Sequence, residues 1–112
     1  MLPKIFSVPI EGFSWPIIER SLNARAQGSS AFWIVTANPE ILLAAKEDAA
    51  YAEAVRQADV RTVDGMGLWL ALRANGVYVT RLTGGALAEH LLEWARVHHK
   101  KVGFIGGKTK EV

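Results

Sequence analysis

The chain has 112 residues, half of them apolar, and sets 13 basic against 11 acidic residues for a formal net charge of +2. That length holds one domain with a real core, and the apolar half excludes a disordered chain. The balanced charge excludes the broad basic footprint of a nucleic-acid binder, and the absence of cysteine excludes disulfides, thiolate catalysis and cysteine zinc sites.

A chain without cysteine fits a reducing compartment. Met1 to Ile10 contains no sustained apolar run of the signal-peptide kind. No segment approaches the roughly 20 apolar residues that span a bilayer. The expected location is the cytoplasm, with contact at a membrane surface left open.

In chain order, Lys4 to Val8 is expected as a short first strand. Ser14 is a predicted N-cap for a helix running to about Gln27, with Pro16 tolerated in its first turn and Gly28 ending it. Ala31 to Thr36 is the clearest strand, rich in β-branched and aromatic residues. Asn38 then caps a helix whose first position is Pro39, where a missing N–H costs nothing. A further helix is predicted from about Asp48 to Ala58, with Tyr51, Ala54, Val55 and Ala58 on one face.

Val60 to Val63 reads as the next strand, and a helix from about Met66 to Asn75 is closed by Gly76. Leu68 to Leu72 leave that helix almost no polar face, so it is expected to be buried or to await a partner surface. Arg81 to Gly85 reads as a loop, Ala86 to about His98 as a helix, and Lys101 to Ile105 as a third parallel strand. The basic run His98 to Lys101 complements the dipole at that helix's C-terminus. Alternating strand and helix predicts a three-layer α/β fold, a Rossmann-like parallel sheet with helices on both faces. Because the chain stops soon after Ile105, the sheet is expected to be incomplete at its C-terminal end.

In such a fold the strands present their C-terminal ends on one edge, and ligands bind outside that edge. Thr36-Ala37-Asn38-Pro39-Glu40, Asp64-Gly65-Met66-Gly67 and Gly106-Gly107-Lys108 each follow a predicted strand, so all three are expected around one ligand. Asp64 suits a general base or a ligand for sugar hydroxyls, with Gly65 and Gly67 admitting a ligand to the backbone. An N-cap explains the same aspartate equally simply. Thr36 and Asn38 suit hydrogen bonds to a sugar or a base, or else turn and cap chemistry. Arg81 offers a planar fork of donors that matches diphosphate oxygens, or else a solvated charge.

Gly106-Gly107-Lys108-Thr109 invites a phosphate-loop reading, which fails because Val102 stands where that motif needs its first glycine. A dinucleotide-dependent enzyme is disfavoured because no Gly-x-Gly-x-x-Gly follows the first strand. His90, His98 and His99 lack the partners and spacing of a metal site.

Taken together, Thr36 to Glu40, Ala58-Asp59-Val60 leading to Val63 to Gly67, Arg81-Leu82-Thr83-Gly84 and Val102 to Lys108 resemble the WecG/TagA/CpsF group of bacterial glycosyltransferases, over the N-terminal part of that family's domain. The resemblance implies an inverting enzyme that needs neither metal nor cofactor. It would act at the inner face of the cell membrane, moving an N-acetylmannosamine-type sugar from a UDP donor to N-acetylglucosamine on undecaprenyl diphosphate, for teichoic acid or other surface polysaccharide.

By the same resemblance Asp64 matches the catalytic base. Thr36 and Asn38 match the pocket motif, and Arg81 matches the diphosphate arginine; beside these matches, Gly65, Thr83, Gly84, Gly106 and Gly107 are expected as further substrate contacts. The sequence departs from the pattern at Gly85 and Ala86, where the family commonly carries a small polar and then an acidic residue. The alternative is a non-catalytic nucleotide-binding partial domain. In either case uncovered apolar surface is expected to make the chain associate with itself or with membranes.

Overall fold

A computed structural model describes residues 4–5, 8–25 and 31–106. The strand expected over Lys4 to Val8 is instead an antiparallel pair, β1 (Lys4–Ile5) and β2 (Val8–Pro9). Folding back in this way drops Val8 and Ile10 into the core. Helix α1 (Trp15–Arg25) follows Ser14, whose carbonyl accepts the Ile18 N–H at 3.2 Å. Its predicted stop at Gln27 and Gly28 lies outside the described residues.

Strand β3 (Ile34–Ala37) begins three residues later than the β-branched run suggests. Trp33 is held by Asp59 instead, its N–H donating to Oδ2 at 2.8 Å while its carbonyl accepts the Asp59 N–H at 2.8 Å. Helix α2 (Pro39–Glu47) starts as predicted, with Asn38 Oδ1 accepting the Ile41 N–H at 2.9 Å and Pro39 in the first turn. Asp48 caps α3 (Ala49–Arg56) by accepting from Ala50 and Tyr51. Of the predicted face Val55 is buried in the helix and Ala58 packs from the turn beyond its end, whereas Ala52 takes the inward place expected of Tyr51, which stays at the rim.

Strand β4 (Val60–Val63) pairs in parallel with β3, Thr36 opposite Thr62 and Ala37 opposite Val63. Alternation then divides the side chains between two layers. Val35, Ala37 and Val63 pack against Leu42, Ala45, Ala52 and Val55, joined by Leu68 and Leu72 of α4 (Met66–Ala74). Val60 and Ile34 face the other way, against Ile18 of α1 and Leu87 of α5 (Gly84–Val97). The result is an alternating α/β fold with a small parallel sheet flanked by helices.

The apolar helix α4 is neither fully buried nor unsupported. Leu68 and Leu72 enter the core, Trp69 Nε1 donates to the Val79 carbonyl at 2.9 Å, and Met66 and Leu70 remain exposed. Gly76 ends the helix region at φ 79°, a backbone state glycine adopts freely. Helix α5 begins two residues before the predicted Ala86, because Thr83 Oγ1 accepts the Ala86 N–H at 3.1 Å and Gly84 finds its own partner.

Two corrections bear on function. Lys101 to Ile105 is not a strand: a ladder needs backbone partners, and among the described residues the side of β4 away from β3 carries only a single parallel bridge from Val63 to Arg81. Phe104 and Ile105 are accordingly 83% and 105% exposed. Gly106 therefore does not stand at a strand exit, and Gly107 lies outside the described residues.

A buried ion pair braces the sheet from the α3 side. Arg61 Nη1 donates to the carbonyls of Val55, Arg56 and Ala58 at the end of α3, at 3.1, 3.0 and 2.8 Å. The Glu11 carboxylate pairs with Arg61 Nη2 and also accepts the Arg61 backbone N–H at 2.9 Å. Gly12, at φ 59°, completes this link by donating its N–H to the Arg61 carbonyl.

Candidate active site at the carboxyl edge of the sheet

Thr36 and Asp64 come together as the strand exits predict. Thr36 is the next-to-last residue of β3, and Asp64 follows β4 with its N–H donating to the Ala37 carbonyl at 3.0 Å. Both therefore stand at one edge of the parallel pair. Asp59 occupies the opposite edge, where it also binds Arg25 Nη2 at 2.9 Å. Its role is to fasten β3, β4 and α1 at their far ends.

Asp64 does not cap the helix that follows it. Gly65 holds that position in α4, with no side-chain cap bond, and Asp64 reaches across instead. Its Oδ1 accepts the N–H of Gly84, the first residue of α5, at 2.8 Å. A carboxylate at a helix N-terminus satisfies an orphan donor and meets the positive end of the dipole. One oxygen is thereby anchored, and the other, like the Thr36 side chain, lies close to Gly84. A Cβ added to Gly84 would sit 3.9 Å from Asp64 Oδ2, 3.9 Å from Thr36 Cγ2 and 4.0 Å from Thr36 Oγ1. Gly84 is thus the point at which the β3, β4 and α5 ends converge.

The remaining predicted residues gather unequally. Asn38 and Thr83 spend their side-chain oxygens on the caps of α2 and α5, which is the cap chemistry open to both in the sequence. The amide group of Asn38 is not consumed by that bond. Gly65 lies against Asn38 and Pro39, since a Cβ there would be 3.5 Å from Pro39 Cδ and 3.9 Å from Asn38 Cβ. Arg81 is bridged to Val63, the residue before Asp64, and its side chain is exposed. Gly106 is exposed and outside the sheet.

His90 lies on α5, and His98 and His99 form the turn that ends it. His90 stacks on Trp15 at 4.9 Å and His98 on Trp94 at 4.4 Å, fastening α5 partly to α1. An apolar cavity of about 160 Å³, lined by Ala88, Leu91, Leu92, Val102 and Phe104, lies along α5 and shares no residue with this site.

Two features escape a reading by motif. The Glu11–Arg61 pair joins residues 50 apart in sequence, and no local pattern announces it. Thr62 is fully buried with its hydroxyl lacking any partner among the described residues. Its signal was available: it lies two residues before Asp64, hence on the same sheet face.

A carboxylate held by one oxygen, at the same sheet edge as a hydroxyl with no hydrogen bond among the described residues, and with an exposed arginine joining the end of β4, is equipped to take a proton from an alcohol next to an anionic leaving group. Residues 3–112 match the glycosyl transferase WecG/TagA/CpsF family. The chain is 39% identical over 87 residues to an N-acetylglucosaminyldiphosphoundecaprenol N-acetyl-beta-D-mannosaminyltransferase of Staphylococcus aureus strain NCTC 8325 / PS 47, a span covering 77% of this chain and 34% of that relative. Proteins of the same description from strains COL and MSSA476 match to the same extent. The match spans about a third of the length of these curated relatives. No solved structure matches.

Proposed function

The chain belongs to the WecG/TagA/CpsF glycosyltransferase family, and from that premise we propose that its residues form part of an inverting, metal-independent glycosyltransferase site. The donor is a UDP-sugar of the N-acetylmannosamine type, and the acceptor is N-acetylglucosamine on undecaprenyl diphosphate. The setting is the cytoplasmic face of the membrane, in surface polysaccharide or teichoic acid synthesis. The same reading takes the small sheet as part of a Rossmann-like one.

The observation that carries this reading is the meeting of Asp64 and Thr36 at Gly84, with Asp64 Oδ1 anchored and Oδ2, like Thr36, close to Gly84. In the proposed step Asp64 Oδ2 takes the proton of the acceptor hydroxyl as its oxygen attacks the anomeric carbon, and UDP departs from the opposite side. A positioned base contributes about 10²- to 10⁴-fold. Arg81 and backbone N–H groups stabilise the departing diphosphate. Thr36, the Asn38 amide and the backbone at Gly65 line the sugar or nucleotide.

The Gly84 bond also favours one second reading, in which Asp64 is an α5 cap and the chain binds nucleotide without transferring sugar. UDP release in the presence of lipid-linked N-acetylglucosamine separates the two. Donor-dependent release that requires the acceptor supports transfer, and UDP binding without release supports the cap.

A further inference from the structure

Thr62 is the one fully buried hydroxyl beside the proposed site that has no partner among the described residues. It sits in β4 directly opposite Thr36 of β3. The two share the sheet face that carries Val60 and Ile34, and Asp64 continues that face two residues on. Thr36 Oγ1 is likewise without a hydrogen bond among the described residues, and it is half-exposed. Paired strands lie about 4.8 Å apart, so two threonine hydroxyls rotated toward each other across that gap reach hydrogen-bonding distance.

Resting on the glycosyltransferase reading, we propose that Thr62 is a positioning residue: its hydroxyl donates to Thr36 Oγ1 when substrate is bound and thereby aims the Thr36 proton. Thr62 is fully buried, away from bulk solvent, and Thr36 is the residue paired with it across the ladder. Thr36 then accepts from Thr62 and has its own proton left for a substrate oxygen on the Gly84 side, where Asp64 Oδ2 also lies. A row of hydroxyls polarised in one direction strengthens its terminal donor. Thr62 itself touches no substrate. The chemistry it serves is recognition of a sugar oxygen by a hydroxyl of fixed orientation.

The test uses Thr62→Val and Thr62→Ser in the enzyme carrying this sequence, assayed with a UDP-sugar and lipid-linked N-acetylglucosamine. Valine is close in shape and removes an unpaired buried group, so a purely structural role predicts unchanged turnover and an equal or higher thermal midpoint. The positioning role predicts that Thr62→Val lowers kcat by up to about tenfold, the worth of one hydrogen bond. The donor KM and thermal midpoint hold, and Thr62→Ser restores kcat. It also predicts that Thr36→Val/Thr62→Val is no slower than Thr36→Val alone.

Parental kcat in Thr62→Val, a loss that serine does not recover, or additive losses in the double variant each overturn the role. If Asp64→Asn abolishes turnover while Thr62→Val leaves it intact, only the Thr62 role fails. If the parent turns over no sugar, or Asp64→Asn turns over as the parent does, the glycosyltransferase reading fails and takes this inference with it.

Discussion

At the scale of single residues, the position of Asp64 Oδ1 makes a sharp substitution available. Asparagine keeps a carbonyl oxygen to accept the Gly84 N–H, so Asp64→Asn is expected to leave the thermal midpoint nearly unchanged. An amide is a very poor proton acceptor, and turnover is expected to fall by about 10²- to 10⁴-fold with UDP-sugar binding largely kept. Steady-state kinetics beside calorimetric UDP titration reads the split, and equal losses of binding, stability and turnover would mark Asp64 as a cap alone. Glu11 makes the complementary case, a carboxylate with a structural task. Removing it in Glu11→Ala leaves the Arg61 guanidinium buried without its counter-charge, a loss expected to cost about 3–5 kcal/mol in urea denaturation.

At the scale of elements, the helices are set by their caps. Asn38→Ala is expected to destabilise the fold by about 1 kcal/mol, because α2 loses the acceptor for the Ile41 N–H while Pro39 still fits its first turn. A destabilisation near zero in the same urea experiment would show that core packing through Leu42 and Ala45 sets that helix start unaided. The link from the N-terminal segment to β4 is more demanding. A side chain at Gly12 faces φ 59° and would put a Cβ 2.5 Å from Val79 Cβ, too close without movement of the backbone. Gly12→Ala is therefore expected to cost more than the Asn38 cap. A Gly12→Ala protein as stable as the parent would mean that the segment moves away from Val79 at little cost.

At the scale of the whole molecule, the apolar surface is unevenly covered. Val102, Phe104 and Ile105 are exposed beside the cavity along α5, and Met66 and Leu70 are exposed on α4. Exposed apolar area of this kind marks an interface or an aggregation liability. The purified chain is expected to elute from size-exclusion chromatography as more than a monomer, and Phe104→Ser/Ile105→Ser to shift it toward the monomer. A parent that elutes as a monomer at all concentrations would remove this surface from consideration. No helix among the described residues is long and apolar enough to cross a membrane.

The chain order of helices and strands was legible in the sequence because caps, breakers and apolar periodicity act over a few residues. Asn38-Pro39 started α2, Gly76 closed α4, and β4 lay where Val60 to Val63 indicated. The neighbourhood of Thr36 and Asp64 was legible too, since two parallel strands must end at the same edge. What the sequence left open was which partner each polar group takes. Asp64 binds α5 rather than capping α4, Glu11 finds Arg61, and Thr62 is buried on the sheet face that carries Val60 and Ile34, all through the packing of segments distant in the chain. Lys101 to Ile105 has the composition of a strand but, among the described residues, no strand beside it. A strand's hydrogen bonds are made to another segment, so only tertiary structure decided whether that composition became a strand.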